Sequence, residues 1–202
     1  MRSRYSISEV HEKLPSELDK SKLQYKFVDQ SYLEEIKKLH QEWFPVHYGD
    51  DYYEKINQKE TICMGAFSKD ILIGLFIGHF KSNYITKQLS NKSRFSFGGT
   101  TGLYIATIGV VDGARRLGIG TLLIDEVLKW VKIHHSDTET IFLHVIDYNN
   151  AAIKFYENND FSLFGKYSDY YFLGGKFYDS YLYYKRLSFP RVQERKRKSR
   201  VC

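Results

Sequence analysis

Apolar residues in this chain alternate between a two-residue and a three-to-four-residue spacing, and the switches mark its elements. Leu23–Val28 alternates, which predicts a first strand. Over Ser31–Phe44, the residues Leu33, Ile36, Leu39, His40 and Trp43 share one face of a predicted helix. Pro45 must end it, because proline offers no N–H and crowds the residue before it. Asp51–Asn57 predicts a short second helix, and Thr61–Phe67 with Ile71–Phe80 predict strands joined by a tight turn at Ser68–Asp70. Leu103–Val111 is an almost unbroken apolar strand. A glycine-bearing turn, Asp112–Gly120, then leads into a long helix from about Ile119 to His134, striped by Leu123, Val127, Trp130, Val131 and His134. Thr140–Ile146 reads as another buried strand and Asn150–Asn158 as a short helix. Phe161–Leu173 and Phe177–Leu187 read as a hairpin around Gly174-Gly175. Strands bracketing helices in this order predict an α/β, or layered α+β, domain.

The 202 residues suit one domain, expected over 23–188. A polar, flexible N-terminal segment (1–22) and a basic tail (189–202) flank it, and no internal repeat is visible. Residues 81–100 are polar and long for a loop inside a compact domain, a kind that tends to be functional. Charge is lopsided. Residues 191–202 carry six Lys/Arg against one Glu, so five of the net six positive charges sit there. The body has no electrostatic case for nucleic acid, whereas the tail does. Cys63 and Cys202 are too few for a disulfide framework or a cysteine zinc site. No apolar run approaches the roughly 18 residues of a membrane span. The opening MRSRYSISEVHEKL lacks the apolar stretch of a secretory signal, so a cytoplasmic location is expected. Aromatics make up 16%, and 17 of them are tyrosines, more than a core usually asks for, which hints at a tyrosine-lined cleft.

The most informative stretch is strand–RRLGIG–helix. Gly118 and Gly120 let the backbone approach a ligand, the helix start offers unsatisfied N–H groups, and Arg115 and Arg116 add charge suited to phosphate. On spacing alone it reads equally as an anion cradle or as an ordinary helix start. It is neither G-x-G-x-x-G nor a P-loop, which disfavours the common dinucleotide and nucleoside-triphosphate folds.

R-x-x-G-x-G in that setting resembles the coenzyme A signature of the GCN5-related N-acetyltransferase superfamily. HVIDYNNAAIKFYENNDF (His144–Phe161) resembles its other characteristic block, where an Asn-bearing turn leaves a strand and starts a helix ending near a Tyr. The likeness spans residues 25–187. EWFPVHY (Glu42–Tyr48), LYIATIGVV, FLHV (Phe142–Val145) and Tyr170-Tyr171 are similar to the N-terminal α-amino acetyltransferases within it. FYENNDF, the 81–100 insert and FYDSYLYY look most like their type F branch.

The resemblance implies a central mixed, mostly antiparallel sheet with helices on both faces and a splay between the two central strands. It implies acetyl-CoA as co-substrate, no metal, and acetyl transfer to the free α-amine of protein N-termini, chiefly those retaining Met. Tyr104 and His144 would be the catalytic pair, acting through water. Ile108, Gly109 and Val110 would hold the pantetheine arm, Arg115, Arg116, Leu117, Gly118, Ile119, Gly120 and Thr121 the pyrophosphate, and Asn149 the arm again. Tyr156 would stand near the leaving sulfur or simply pack its helix. Phe44, Pro45 and Val46 would receive the methionine, with Tyr48, Ala106, Tyr170 and Tyr171 along the peptide. From position alone His144 reads as a core histidine, and the resemblance reverses that. The same likeness implies attachment to the cytosolic face of Golgi or other membranes. For the tail this leaves four readings open: an anionic membrane helped by acylation of Cys202, nuclear import, an RNA contact, or plain solvation. Homodimerisation also stays open. Lysine acetylation, as on histones, and a non-catalytic module that binds coenzyme A or a nascent chain are the competing functions.

Overall fold

The computed structural model describes residues 18–46, 48–82 and 101–187. Its strands are β1 Leu23–Phe27, β2 Thr61–Ser68, β3 Ile71–Ser82, β4 Thr101–Val110, β5 Thr138–Ile146, β6 Ser162–Leu173 and β7 Lys176–Arg186. They form one sheet in the order β1-β2-β3-β4-β5-β7-β6. All neighbours are antiparallel except β4 and β5. A parallel pair needs a crossover, and the helix α3 (Ile119–His134) supplies it. The other helices are α1 (Leu33–Trp43), α2 (Asp50–Glu54) and α4 (Asn150–Glu157).

Local chemistry sets the element ends. The Asp29 carboxylate accepts from the Ser31 N–H at 2.8 Å and its hydroxyl at 2.6 Å. That cap winds Gln30–Tyr32 into a 3-10 turn, so α1 begins later than the apolar stripe predicts. The second predicted helix is likewise divided, with Lys55–Asn57 in a 3-10 turn after α2. Expectations for the insert from residue 83 to 100, for the tail at 189–202 and for residues 1–17 fall outside the described residues.

The helices cover both faces. A Cβ at Gly109 would run into the Trp43 ring of α1. A Cβ at Gly74, the residue before Gly109's partner Leu75, would meet Leu123 of α3 at 3.1 Å. Successive strand residues point to opposite faces, so α1 and α3 sit on opposite sides of the sheet. Leu75, Phe76, Ile77, Leu103 and Leu123 are fully buried between these layers. Each contributes about 1.5–3 kcal/mol of transfer free energy.

Two irregularities in the centre position the site. The β3–β4 register shifts between Ile77 and Gly78, leaving Ala106 without a partner on β3. The β4–β5 pairing runs only from Thr101 to Tyr104 against Thr138 to Phe142. Past that point β4 and β5 diverge, which opens the expected splay.

Candidate active site

Tyr104 is the last β4 residue paired with β5, opposite Phe142, and their ring centroids are 5.2 Å apart. His144 lies two residues further along β5, so it shares the face of Phe142. Both therefore stand at the fork, with the Tyr104 and His144 centroids 6.0 Å apart. Tyr170 covers the imidazole: its ring stacks on His144 at 4.2 Å and 15°, and its phenol lies within electrostatic reach of Tyr104. Tyr171 donates from its hydroxyl to the His144 carbonyl at 3.2 Å, and Tyr167 meets the imidazole edge-on at 5.6 Å.

A regular β6 would send Tyr170 and Tyr171 to opposite faces. Here the β6–β7 register jumps from Tyr167↔Ser180 to Tyr171↔Tyr178, with Asp169 in the left-handed region at φ +54°. This bulge turns three tyrosines of one strand toward one imidazole.

Burial sets the protonation states. It lowers His144 to a pKa of about 4, so the imidazole is neutral at pH 7. Its Nδ1 has no hydrogen-bond partner among the described residues. Burial also holds Tyr104 well above the ordinary phenol range, as it does Tyr171 and Tyr156. The pairing is thus a neutral base with an open nitrogen beside a protonated phenol.

On the other side of Tyr104, the chain leaving α1 carries Phe44, Pro45, Val46 and Tyr48. A cavity of about 200 Å³ there is lined by Lys37, His40, Gln41, Val46, Tyr48, Asp50 and Tyr53. Phe44 packs edge-on to Tyr48 at 6.1 Å, and Tyr48 lies within electrostatic reach of Tyr104 and Tyr171. Burial pushes Tyr48 up to about 12. His40 is buried at the centre of this cluster, 3.3 Å from the Thr107 hydroxyl, and burial lowers its pKa to about 4. Sequence reading gave His40 only a place on an apolar stripe. A histidine on such a stripe is itself the signal that it needs a buried partner.

The glycine turn opens α3. Gly118 has φ +81° and Arg116 φ +61°. The first helical hydrogen bond runs from Leu122 N–H to the Gly118 carbonyl at 3.0 Å. The N–H groups of Ile119, Gly120 and Thr121 therefore precede the ladder and remain open to a ligand. A Cβ at Gly118 would meet nothing within 4 Å, so glycine serves the backbone angle there. A Cβ at Gly120 would meet the Phe155 ring of α4 at 3.0 Å, so that glycine serves packing.

Arg115 folds back on its own turn, to Asp112 at 2.7 Å and the Val110 carbonyl at 3.0 Å, and like Arg116 and Leu117 it stays exposed. Asn149 caps α4, its Oδ1 accepting from Ala152 N–H at 3.1 Å. Tyr156 is buried against Phe161. Ile108, Gly109 and Val110 pair with β3 on one edge and lie beyond the end of the β5 pairing on the other. An open strand edge facing a helix start fits an extended arm that ends in a pyrophosphate. Among the described residues no His, Cys, Asp or Glu cluster could hold a metal, and no helix is long and apolar enough to cross a membrane.

Comparison with known proteins gives this geometry a family. Residues 33–161 match the Acetyltransferase (GNAT) family. N-alpha-acetyltransferase 60 of Danio rerio is 32% identical over 167 residues, covering 81% of this chain, and that of Xenopus tropicalis is 31% identical over 159 residues, covering 75%. The matches span 69% and 64% of those relatives' own lengths. The crystal structure of Arabidopsis thaliana NAA60 in complex with acetyl-CoA superposes with a TM-score of 0.73 at 27% identity, covering 82% of this chain and 98% of that one. A family match over residues 33–161, relatives above 30% identity and a shared overall fold lead to one conclusion: this protein belongs to the GNAT acetyltransferase family.

Proposed function

We propose that this acetyltransferase takes its acetyl group from acetyl-CoA and transfers it to the free α-amine of protein N-termini, chiefly those that retain Met. The observation that carries the reading is the neutral His144 and protonated Tyr104 side by side at the fork, with Tyr170 stacked on the imidazole. An α-amine has a pKa near 7.7–8.0, so about one in seven is already neutral at pH 7. A lysine amine is neutral in only roughly one in 2,500. Weak bases such as these suit the first acceptor and not the second.

Ile108–Val110 receive the pantetheine arm along their open edge, and the N–H groups of Ile119–Thr121 with Arg116 receive the pyrophosphate. Arg115 braces the turn through its bonds to Asp112 and the Val110 carbonyl. Asn149, with its Oδ1 used as a cap, keeps its side-chain N–H₂ for the arm. When bound, acetyl-CoA supplies the thioester carbonyl that the amine attacks. His144 takes the proton lost by the amine, through water, and Tyr104 orients that water. Tyr156, kept protonated by burial, gives its proton to the departing sulfur and regains one, through water, from the proton His144 took from the amine. Phe44, Pro45, Val46 and Ala106 surround the first side chain, and Tyr48 and Tyr171 hold the first peptide units.

The test pairs two peptides, one with a free Met-Lys start and one N-blocked with an internal lysine. Transfer to the free Met peptide alone is expected. Activity mainly on the blocked peptide makes this a lysine acetyltransferase and removes the roles given to Phe44, Tyr48 and Tyr171.

A further inference from the structure

We propose that Asp179 is a positioning residue of the acetyl-transfer site: its carboxylate holds β6 in the bulge that lays Tyr170 on His144. The inference rests on the role assigned above to His144. Asp179 lies on β7 between Tyr178 and Ser180, the partners of Tyr171 and Tyr167. Ser168, Asp169 and Tyr170 therefore face this one residue, and the ladder has no acceptor to spare for a bulged amide. The Asp179 side chain supplies it: the Asp169 N–H donates to Oδ1 at 3.0 Å. Asp169 holds φ +54°, a conformation that is unfavourable for a non-glycine residue and persists only where its surroundings hold it.

The carboxylate is fixed from its other side as well. Lys166 Nζ lies 2.7 Å from Asp179 Oδ2 and 3.4 Å from Asp147 Oδ2. Asp147 follows β5 three residues beyond His144, and its N–H donates to the Asp179 carbonyl at 3.1 Å. One residue thus ties the end of β5, the bulge of β6 and the strand β7. The charged groups around it are Lys166, Asp147 and Asp169, and those facing His144 are the phenols of Tyr104, Tyr167, Tyr170 and Tyr171. Releasing the amide would let β6 regain regular pairing and carry Tyr170 off the imidazole.

The experiment uses the full chain with Asp179→Ala, Asp179→Asn and Asp179→Glu. Two quantities are measured: kcat and KM on the free-Met peptide, and the titration of the His144 imidazole by NMR. Asn keeps an acceptor at the right reach without charge, whereas Glu keeps the charge and misplaces the acceptor. Ala and Glu are expected to lower kcat at least tenfold with the acetyl-CoA KM within twofold. Both should move the His144 titration upward from about 4 toward the ordinary value of 6.5. Asn is expected to retain at least half of the wild-type kcat, and comparison of Asn with Glu decides the matter if the Ala variant does not fold. Wild-type kcat and an unmoved titration in Glu, or an Asn variant as impaired as Glu, overturns the proposal. The titration needs no turnover, so it still decides the positioning role if the wild type acetylates lysine or nothing at all.

Discussion

Tyr170 lies flat on His144, with ring centroids 4.2 Å apart and planes 15° apart, and within electrostatic reach of Tyr104. The two groups assigned to the transfer therefore touch each other and share this third residue as a neighbour. Stacking shields the imidazole from water and contributes to the burial that keeps it neutral.

If His144 and Tyr104 act as one unit, removing either should cost nearly as much as removing both. His144→Gln and Tyr104→Phe are each expected to lower kcat by about 10²-fold, the usual worth of a positioned acid–base group. The double variant should fall by much less than the product of the two losses. Steady-state kinetics on the free-Met peptide checks this, and fully multiplicative losses would separate the two roles.

Stability should fall on mild acidification. His40, His79 and His144 all have folded pKa values lowered to about 4 by burial, against 6.5 in the unfolded chain. Between those values the unfolded state binds more protons, so stability is fully present above pH 6.5 and is lost as pH falls toward 4. His40 and His144 are each expected to cost on the order of 1–2 kcal/mol by pH 5, and the more exposed His79 less, because solvent screens its charge. Urea midpoints at pH 7 and pH 5 read the sum, and equal midpoints would contradict the burial of these rings.

Gly109 is a packing position. Its substitution by Ala drives a methyl into the Trp43 ring and is expected to destabilise the fold by about 1–3 kcal/mol. Combining it with Trp43→Leu should recover part of that loss in a thermal melt. An unchanged melting temperature for Gly109→Ala would mean that α1 does not press on β4 here.

Gly118→Ala separates backbone strain from crowding. Nothing lies within 4 Å of the added methyl, so the expected cost is the left-handed backbone alone, about 1 kcal/mol. Because the strain falls on the turn that aims the α3 amides, KM for acetyl-CoA should rise severalfold while KM for the peptide stays put. A change confined to the peptide KM would remove the turn from the co-substrate site.

Alternation, helical stripes and the glycine turn were legible along the chain, because each is a local preference of consecutive residues. They placed every described strand and helix within a few residues, and the family resemblance put Tyr104 and His144 together as a pair. The misplaced start of α1 came from the Asp29 side chain, a short-range competitor to the apolar stripe. What the chain could not disclose is non-local. The place where β4 leaves β5 depends on a bulge opposite β3, and the face that Tyr170 presents depends on a register jump against β7. Period-two alternation carries no record of an inserted residue in a partner strand. The sequence by itself determined which elements form and which side chains could do chemistry. Only the tertiary structure decided that Tyr170 covers His144 and that His40 is buried without charge, because those outcomes follow from which strand edges and which rings meet in space.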